Sequence, residues 1–132
     1  MGKNQLTSPE SIAMLERMRT AVSSLPEVDE EVDGFGHTSL RVRGKPFVIM
    51  GQSSSGPSLS VKSDRDTQDF LIRHRPFTKT RYIGQHGWVS AAEIPPADWN
   101  EIEGLVIDGY LLVAPARLAA EVRAGFEPAD GS

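Results

Sequence analysis

Between an alternating stretch, Ser39–Val42, and an apolar run, Phe47–Met50, the chain has room for only a tight turn, read at Gly44-Lys45. Parallel strands need a crossover of about a dozen residues or more, so these two segments must pair back as an antiparallel hairpin. Leu40 and Val42 then share one face, and Arg41 and Arg43 the other. The same short linkage recurs along the chain. Glu27–Asp33 reads as an acidic strand with Val28 and Val32 as its apolar points, followed by a turn at Gly34-Phe35-Gly36. Ser58–Ser63 alternates with Leu59 and Val61 inward. Arg81–Ile83 and Trp88–Ala92 read as two strands around Gly84-Gln85-His86-Gly87. Gly51–Pro57, with three serines and two glycines, reads as a mobile loop.

Helices punctuate these strands. Ser8, Pro9 and Glu10 are an N-cap, a first-turn proline and a dipole-compatible acid, and they open a helix that Leu25-Pro26 closes. Its inward stripe reads as Ile12, Leu15, Met18 or Arg19, and Val22. Asp64 caps a second helix reaching His74, with Phe70 and Leu71 toward the core, stopped at Arg75-Pro76. Pro95-Pro96 open a long helix with the stripe Trp99, Ile102, Leu105 or Val106, Gly109, and Leu112 or Val113. Gly109 in its interior implies close packing. Pro115 begins a last helix to about Arg123, with a frayed tail over 124–132. This order predicts an α+β two-layer sandwich, an antiparallel sheet of about five to six strands with helices on one face. The 132 residues fit one domain with its core over about 8–118.

Composition removes several chemistries. With no cysteine there is no disulfide, thiolate metal site or cysteine nucleophile. The N-terminal MGKNQLTSPES has no apolar core of a signal peptide, and no stretch nears the roughly 18 apolar residues that span a bilayer, so a cytoplasmic location without membrane attachment is expected. His37, His74 and His86 show no metal-ligand spacing. Ser53–Ser55 match no nucleophile elbow, and the Gly51–Gly56 run lacks the lysine of a phosphate loop. No catalytic residue, metal or cofactor is therefore expected.

Charge is uneven. The chain is net −4, yet residues 41–86 hold nine Lys and Arg against three acidic residues. If Arg41, Arg43, Lys62, Lys79 and Arg81 gather on one strand face, they form a surface for phosphates or carboxylates. The plainer reading is a solvated face that pairs with the acidic flanks. The densest mixture of functional side chains is Thr80–Val89, where Arg81, Tyr82, His86 and Trp88 offer a cation, two aromatics and an imidazole for stacking or anion contact. Against that stands the possibility that Tyr82 and Trp88 pack the core. His37 follows Gly36 at the start of a strand and is the remaining candidate.

The segments LPEVDEEVDGFGHTSLRVRGKPFVIM, PSLSVKSD, RPFTKTRYIGQHGWVSAAEI and GYLLVAPARL, in that order, resemble the MmcQ/YjbR family over roughly Ser8 to Leu118. The resemblance implies a compact α+β fold similar to type III secretion chaperones and sometimes compared with frataxin. Members are commonly named DNA-binding proteins. By motif position it points to Gly36-His37, Lys62, Tyr82 and Trp88. This chain has Ile83-Gly84-Gln85 where many relatives carry further basic residues. The leading expectation is a DNA-binding or regulatory module that uses the basic strand face, as a monomer or weak dimer. One alternative is a chaperone-like domain that docks an acidic protein or peptide. A second is a small-ligand or enzymatic cleft near His37, Tyr82 and His86, which requires these histidines to share a face.

Overall fold

A computed structural model describes residues 4–126. Along the chain run α1 (Pro9–Ala21), β1 (Val28–Val32), β2 (Thr38–Val42), β3 (Lys45–Ser53), β4 (Gly56–Val61), α2 (Arg65–His74), β5 (Phe77–Lys79), β6 (Val89–Ala91), α3 (Trp99–Val113) and α4 (Ala116–Phe126). The six strands form one sheet in the order β1-β2-β3-β4-β6-β5, and every neighbouring pair is antiparallel. This is the α+β architecture expected. Helices α1 and α3 lie on β3 and β4, and α2 lies on β5 and β6. No helix among the described residues is long and apolar enough to cross a membrane.

The helix starts follow the capping chemistry. The Ser8 hydroxyl accepts from the Ser11 N–H, and the Asp64 carboxylate accepts from the Thr67 N–H at 2.7 Å. On the sheet, Leu40, Val42, Leu59 and Val61 all point into the helix-covered core, as alternation requires. The core is one cluster reaching from Leu6 to Val122, wider than 8–118. Gly109 is as tightly packed as expected: a Cβ there would stand 2.8 Å from the Lys62 carbonyl oxygen.

Several expectations are corrected. The hairpin turn is Arg43-Gly44, both at positive φ as a two-residue turn of this hand requires, and Lys45 already pairs with Val42. The segment 51–57 is no loop. β3 continues to Ser53, β4 begins at Gly56, and only Ser54-Ser55 turn between them. The register shift beside Leu40 is a bulge that lets both Phe47 and Val48 be buried, so β3 lacks simple alternation. In α1 the inward line is Ser11, Met14, Leu15 and Met18, and Ile12 is exposed. Ser11 can lie inward because its hydroxyl is bonded to Ser8. In α2 Leu71 and Gln68 are buried, while Phe70 lies outside against the His74 ring. α3 starts at Trp99, capped by Asp98; Tyr110 is buried in its last turns, Val113 of the expected pair packs against the core, and Leu112 is exposed. The fifth strand is Phe77–Lys79, not Arg81–Ile83, and its partner is Val89–Ala91. Residues 124–126 remain in α4, and the rest of the expected frayed tail, 127–132, lies outside the described residues.

Candidate functional site

One face of the sheet carries the helices. The other is left open, floored by the residues that alternate with the core positions. Leu59 and Val61 point inward, so Ser58 and Ser60 point outward, and the pairing of β4 with β6 sets Ser90 beside Ser60. The Ser60 and Ser90 hydroxyls share a hydrogen bond at 2.8 Å, and Ser90 shares another with Thr80 at 2.9 Å. Two loops rise at either side of this hydroxyl chain and make a cleft of about 750 Å³.

The first wall is the β1–β2 turn. Asp33 Oδ1 accepts from the backbone N–H of Phe35 at 2.8 Å and of His37 at 3.0 Å, an Asx turn that closes the loop. Burial works to raise the Asp33 carboxyl, but those two N–H bonds and the nearby imidazole outweigh it and hold the group below its ordinary value. Asp33 Oδ2 lies 3.5 Å from His37 Nδ1. The His37 ring reaches across β3 over Gly51, where a Cβ would stand 2.9 Å from its Cδ2 and 3.2 Å from Ser58 Oγ. Gly51 is therefore in the strand because the imidazole occupies the space of a side chain. Gly51→Ala is expected to keep the fold, since φ there is not left-handed, and to push the imidazole aside. In NMR spectra the ring resonances of His37 should move while those of His74 and His86 stay. Unmoved His37 resonances would refute this packing.

The second wall is the loop from Thr80 to Trp88. Every carbonyl from Gly84 to Trp88 is held by a side chain from the segment just after β4, which the β4–β6 pairing brings alongside. Gln68 Nε2 donates to Gly84 O at 2.7 Å and to Trp88 O at 2.9 Å, and Arg65 Nε to Gln85 O at 3.0 Å. Lys62 Nζ donates to His86 O, and Ser63 Oγ to Gly87 O at 2.6 Å. The clasp fixes the loop that presents Arg81, Tyr82 and Ile83 to the cleft. Tyr82 is 88% exposed, at φ 68, and the Arg81 guanidinium lies 5.8 Å from its ring centroid.

The expected site residues divide. His37, Arg81 and Tyr82 meet at the cleft; His86 does not line it. Trp88 is buried at 5% exposure, out of reach for stacking on a ligand. The cations do not merge into one free face. Arg43 grips both carboxylate oxygens of Glu27 and holds that carboxyl below its ordinary value, and Arg41 bonds Ser39 and the Gly44 carbonyl with Glu31 3.7 Å away. Lys62 serves the clasp. Among the described residues Lys79 and Arg81 make no ion pair with a carboxylate. Sequence reasoning missed Asp33, Ile49, Ser58, Ser60, Thr80 and Ser90. The outward half of the Ser58–Val61 alternation was the available signal for two of them.

The family described as YjbR matches residues 23–112. That span holds every residue of the cleft wall and floor named above. No curated protein matches the chain. Among solved structures, the crystal structure of Deinococcus radiodurans protein DR2400, described as a DUF419 domain, is similar with a TM-score of 0.67 at 17% identity. The match covers 83% of this chain and 87% of that one. The likeness is one of fold.

Proposed function

The chain belongs to the YjbR family, and from that premise we propose that it is a binding module whose open-face cleft takes a nucleotide unit, free or within a single strand. One observation carries the reading: an exposed Arg81-Tyr82 pair stands over a floor of hydroxyl groups. An aromatic face stacks on any base, and a guanidinium without a carboxylate partner is available to a phosphate. The serine and threonine hydroxyls can donate or accept toward a sugar or base edge. The volume of about 750 Å³ lies within the roughly 300–1,000 Å³ of small-ligand sites.

This reading narrows the DNA-binding expectation. A duplex-tracking face drawn from Arg41, Arg43, Lys62, Lys79 and Arg81 has less support, because three of the five already hold partners within the fold. With Arg81 as the phosphate contact of the cleft, and Lys79 turned to the other face beside Gly84, log affinity for a single strand should fall with log salt at a slope of only about −0.7.

The test is fluorescence anisotropy with a labelled single-stranded oligoadenylate, its duplex, and unlabelled adenosine monophosphate as competitor. The single strand should bind more tightly than the duplex. Tyr82→Ala should weaken it about 5- to 150-fold, the loss of one stacked base. Competition by the mononucleotide would assign a free nucleotide as sufficient ligand. If neither nucleotide nor strand binds micromolar protein at low salt, or if Tyr82→Ala leaves affinity unchanged, the reading fails.

A further inference from the structure

An anion entering this cleft meets a carboxylate. Asp33 stands in the wall, and its pull below the ordinary value keeps it ionised throughout the range in which imidazoles titrate, about pH 5 to 8. Its Oδ1 is satisfied by two backbone N–H groups, and Oδ2 faces the His37 ring. His37 thus lies between the fixed negative charge and the floor. With Nδ1 toward Asp33, its Nε2 is turned over Gly51 beside Ser58. In the neutral ring with Nδ1 carrying the proton, Nε2 offers only a lone pair to a ligand. In the imidazolium, both nitrogens donate: one to Asp33, the other into the cleft.

The other groups at the cleft do not substitute for it. Asn4 is neutral, β3 and β4 present Ile49, Ser58 and Ser60, and the opposite loop presents Arg81 and Tyr82. A guanidinium stays charged across this window, and a phenol does not change charge in it, so the opposite loop adds no pH dependence. Asp33 is the only carboxylate lining the cleft among the described residues, and His37 is the group beside it that can change charge.

We propose that His37, held by Asp33, is the proton-coupled anion contact of the cleft: binding a phosphate-bearing ligand draws one proton onto the imidazole. The proposal rests on the nucleotide reading above and names the residue that sets its affinity. The sign follows from linkage. Ligand bound to the imidazolium raises the His37 pKa in the complex. The affinity gain is complete below the ligand-free pKa and is lost as pH rises through the ligand-bound one.

The probes are single-stranded oligoadenylate and 3′,5′-cyclic adenosine monophosphate, phosphodiesters whose phosphate charge is constant over the window, with the pH series run above the protonation of adenine. Affinity should fall with a limiting slope of about tenfold per pH unit between the ligand-free and ligand-bound titrations of the ring, and level off above. His37→Gln, which cannot gain a proton, should bind at the weaker level with a flat profile, while His86→Gln should keep the slope. On the unaltered chain, NMR titration of the His37 ring should show its midpoint rising when either probe is saturating. That readout stands even if the variant fails to fold. Binding that is independent of pH, or a His37 midpoint unmoved by bound probe, overturns the proton coupling and leaves the nucleotide reading standing. Absence of binding at any pH overturns both.

Discussion

Phe47→Ala is expected to lower the unfolding free energy by about 3–5 kcal/mol, the range for emptying a buried phenylalanine site. Phe47 is fully buried, and its ring meets Tyr110 of α3 edge-on, with centroids 5.6 Å apart at 85°. It joins the sheet to its covering helix at the place where the strand bulges. Its backbone carbonyl also accepts the Lys62 N–H at 3.0 Å, so the ring anchors a strand whose ladder continues into the clasp. Collapse around the vacated space is limited, because Tyr110 is itself fixed by its hydroxyl, which donates to the Pro26 carbonyl at 2.8 Å. In a domain whose total stability is of order 5–15 kcal/mol, this is a large share. Urea or thermal unfolding measures it directly. Phe35→Ala is the matched control. Phe35 is 72% exposed, and its truncation should change stability by no more than about 0.5 kcal/mol. Equal effects at the two positions would mean that the bulge does not place Phe47 in the core.

The parts of this fold readable in advance are those governed by near neighbours. Asp64 caps α2 through the N–H of Thr67, three residues on, and the helix duly runs from Arg65 to His74. Leu59 and Val61 face inward because strand side chains alternate. Readings failed where a distant contact overrides local preference. Gly51 and its serine neighbours have low strand propensity, yet they lie in a ladder because an imidazole fourteen positions earlier covers the glycine. Phe70 looked like core, yet it is exposed and Gln68 is buried instead. Gln68 lies inward because two carbonyls of the Gly84–Trp88 turn need its amide.

The candidate site follows the same division. The richness of residues 80–88 was visible in composition, and Arg81, Tyr82 and His37 do line the cleft. The floor was not visible, because Ser60 and Ser90 meet only through a register between strands thirty residues apart. Nor was the commitment of the cations. Arg43 finds Glu27 across the β1–β2 pair, and Arg75 finds Glu101 from a different element. Local charge density says how many cations a segment has; the fold decides how many remain free.

Gly87→Ala is expected to destabilise the chain by about 3 kcal/mol or more, and to abolish cleft binding before it abolishes folding. Two effects combine. Gly87 sits at φ 95, where an L side chain adds about 1–2 kcal/mol of strain. A Cβ there would also collide with the Ser63 carbonyl oxygen. Ser63 cannot yield cheaply, since its N–H donates to Gly87 O at 3.2 Å and its hydroxyl donates to the same oxygen. Moving the two apart breaks the clasp at its centre, and each buried carbonyl left without a donor adds about 1–3 kcal/mol. The Arg81-Tyr82 pair depends on that loop. Hydrogen exchange at the Thr80 amide, which donates to Trp88 O at 3.3 Å, should accelerate ahead of exchange in β3 and β4. Gly104→Ala provides the opposite sign: nothing lies near its missing Cβ on α3, so alanine should stabilise by about 0.5–1 kcal/mol. If Gly87→Ala matched Gly104→Ala in sign, or if it bound the oligoadenylate normally, the loop would not be held by its carbonyl clasp, and Arg81 and Tyr82 would not depend on it for their placement.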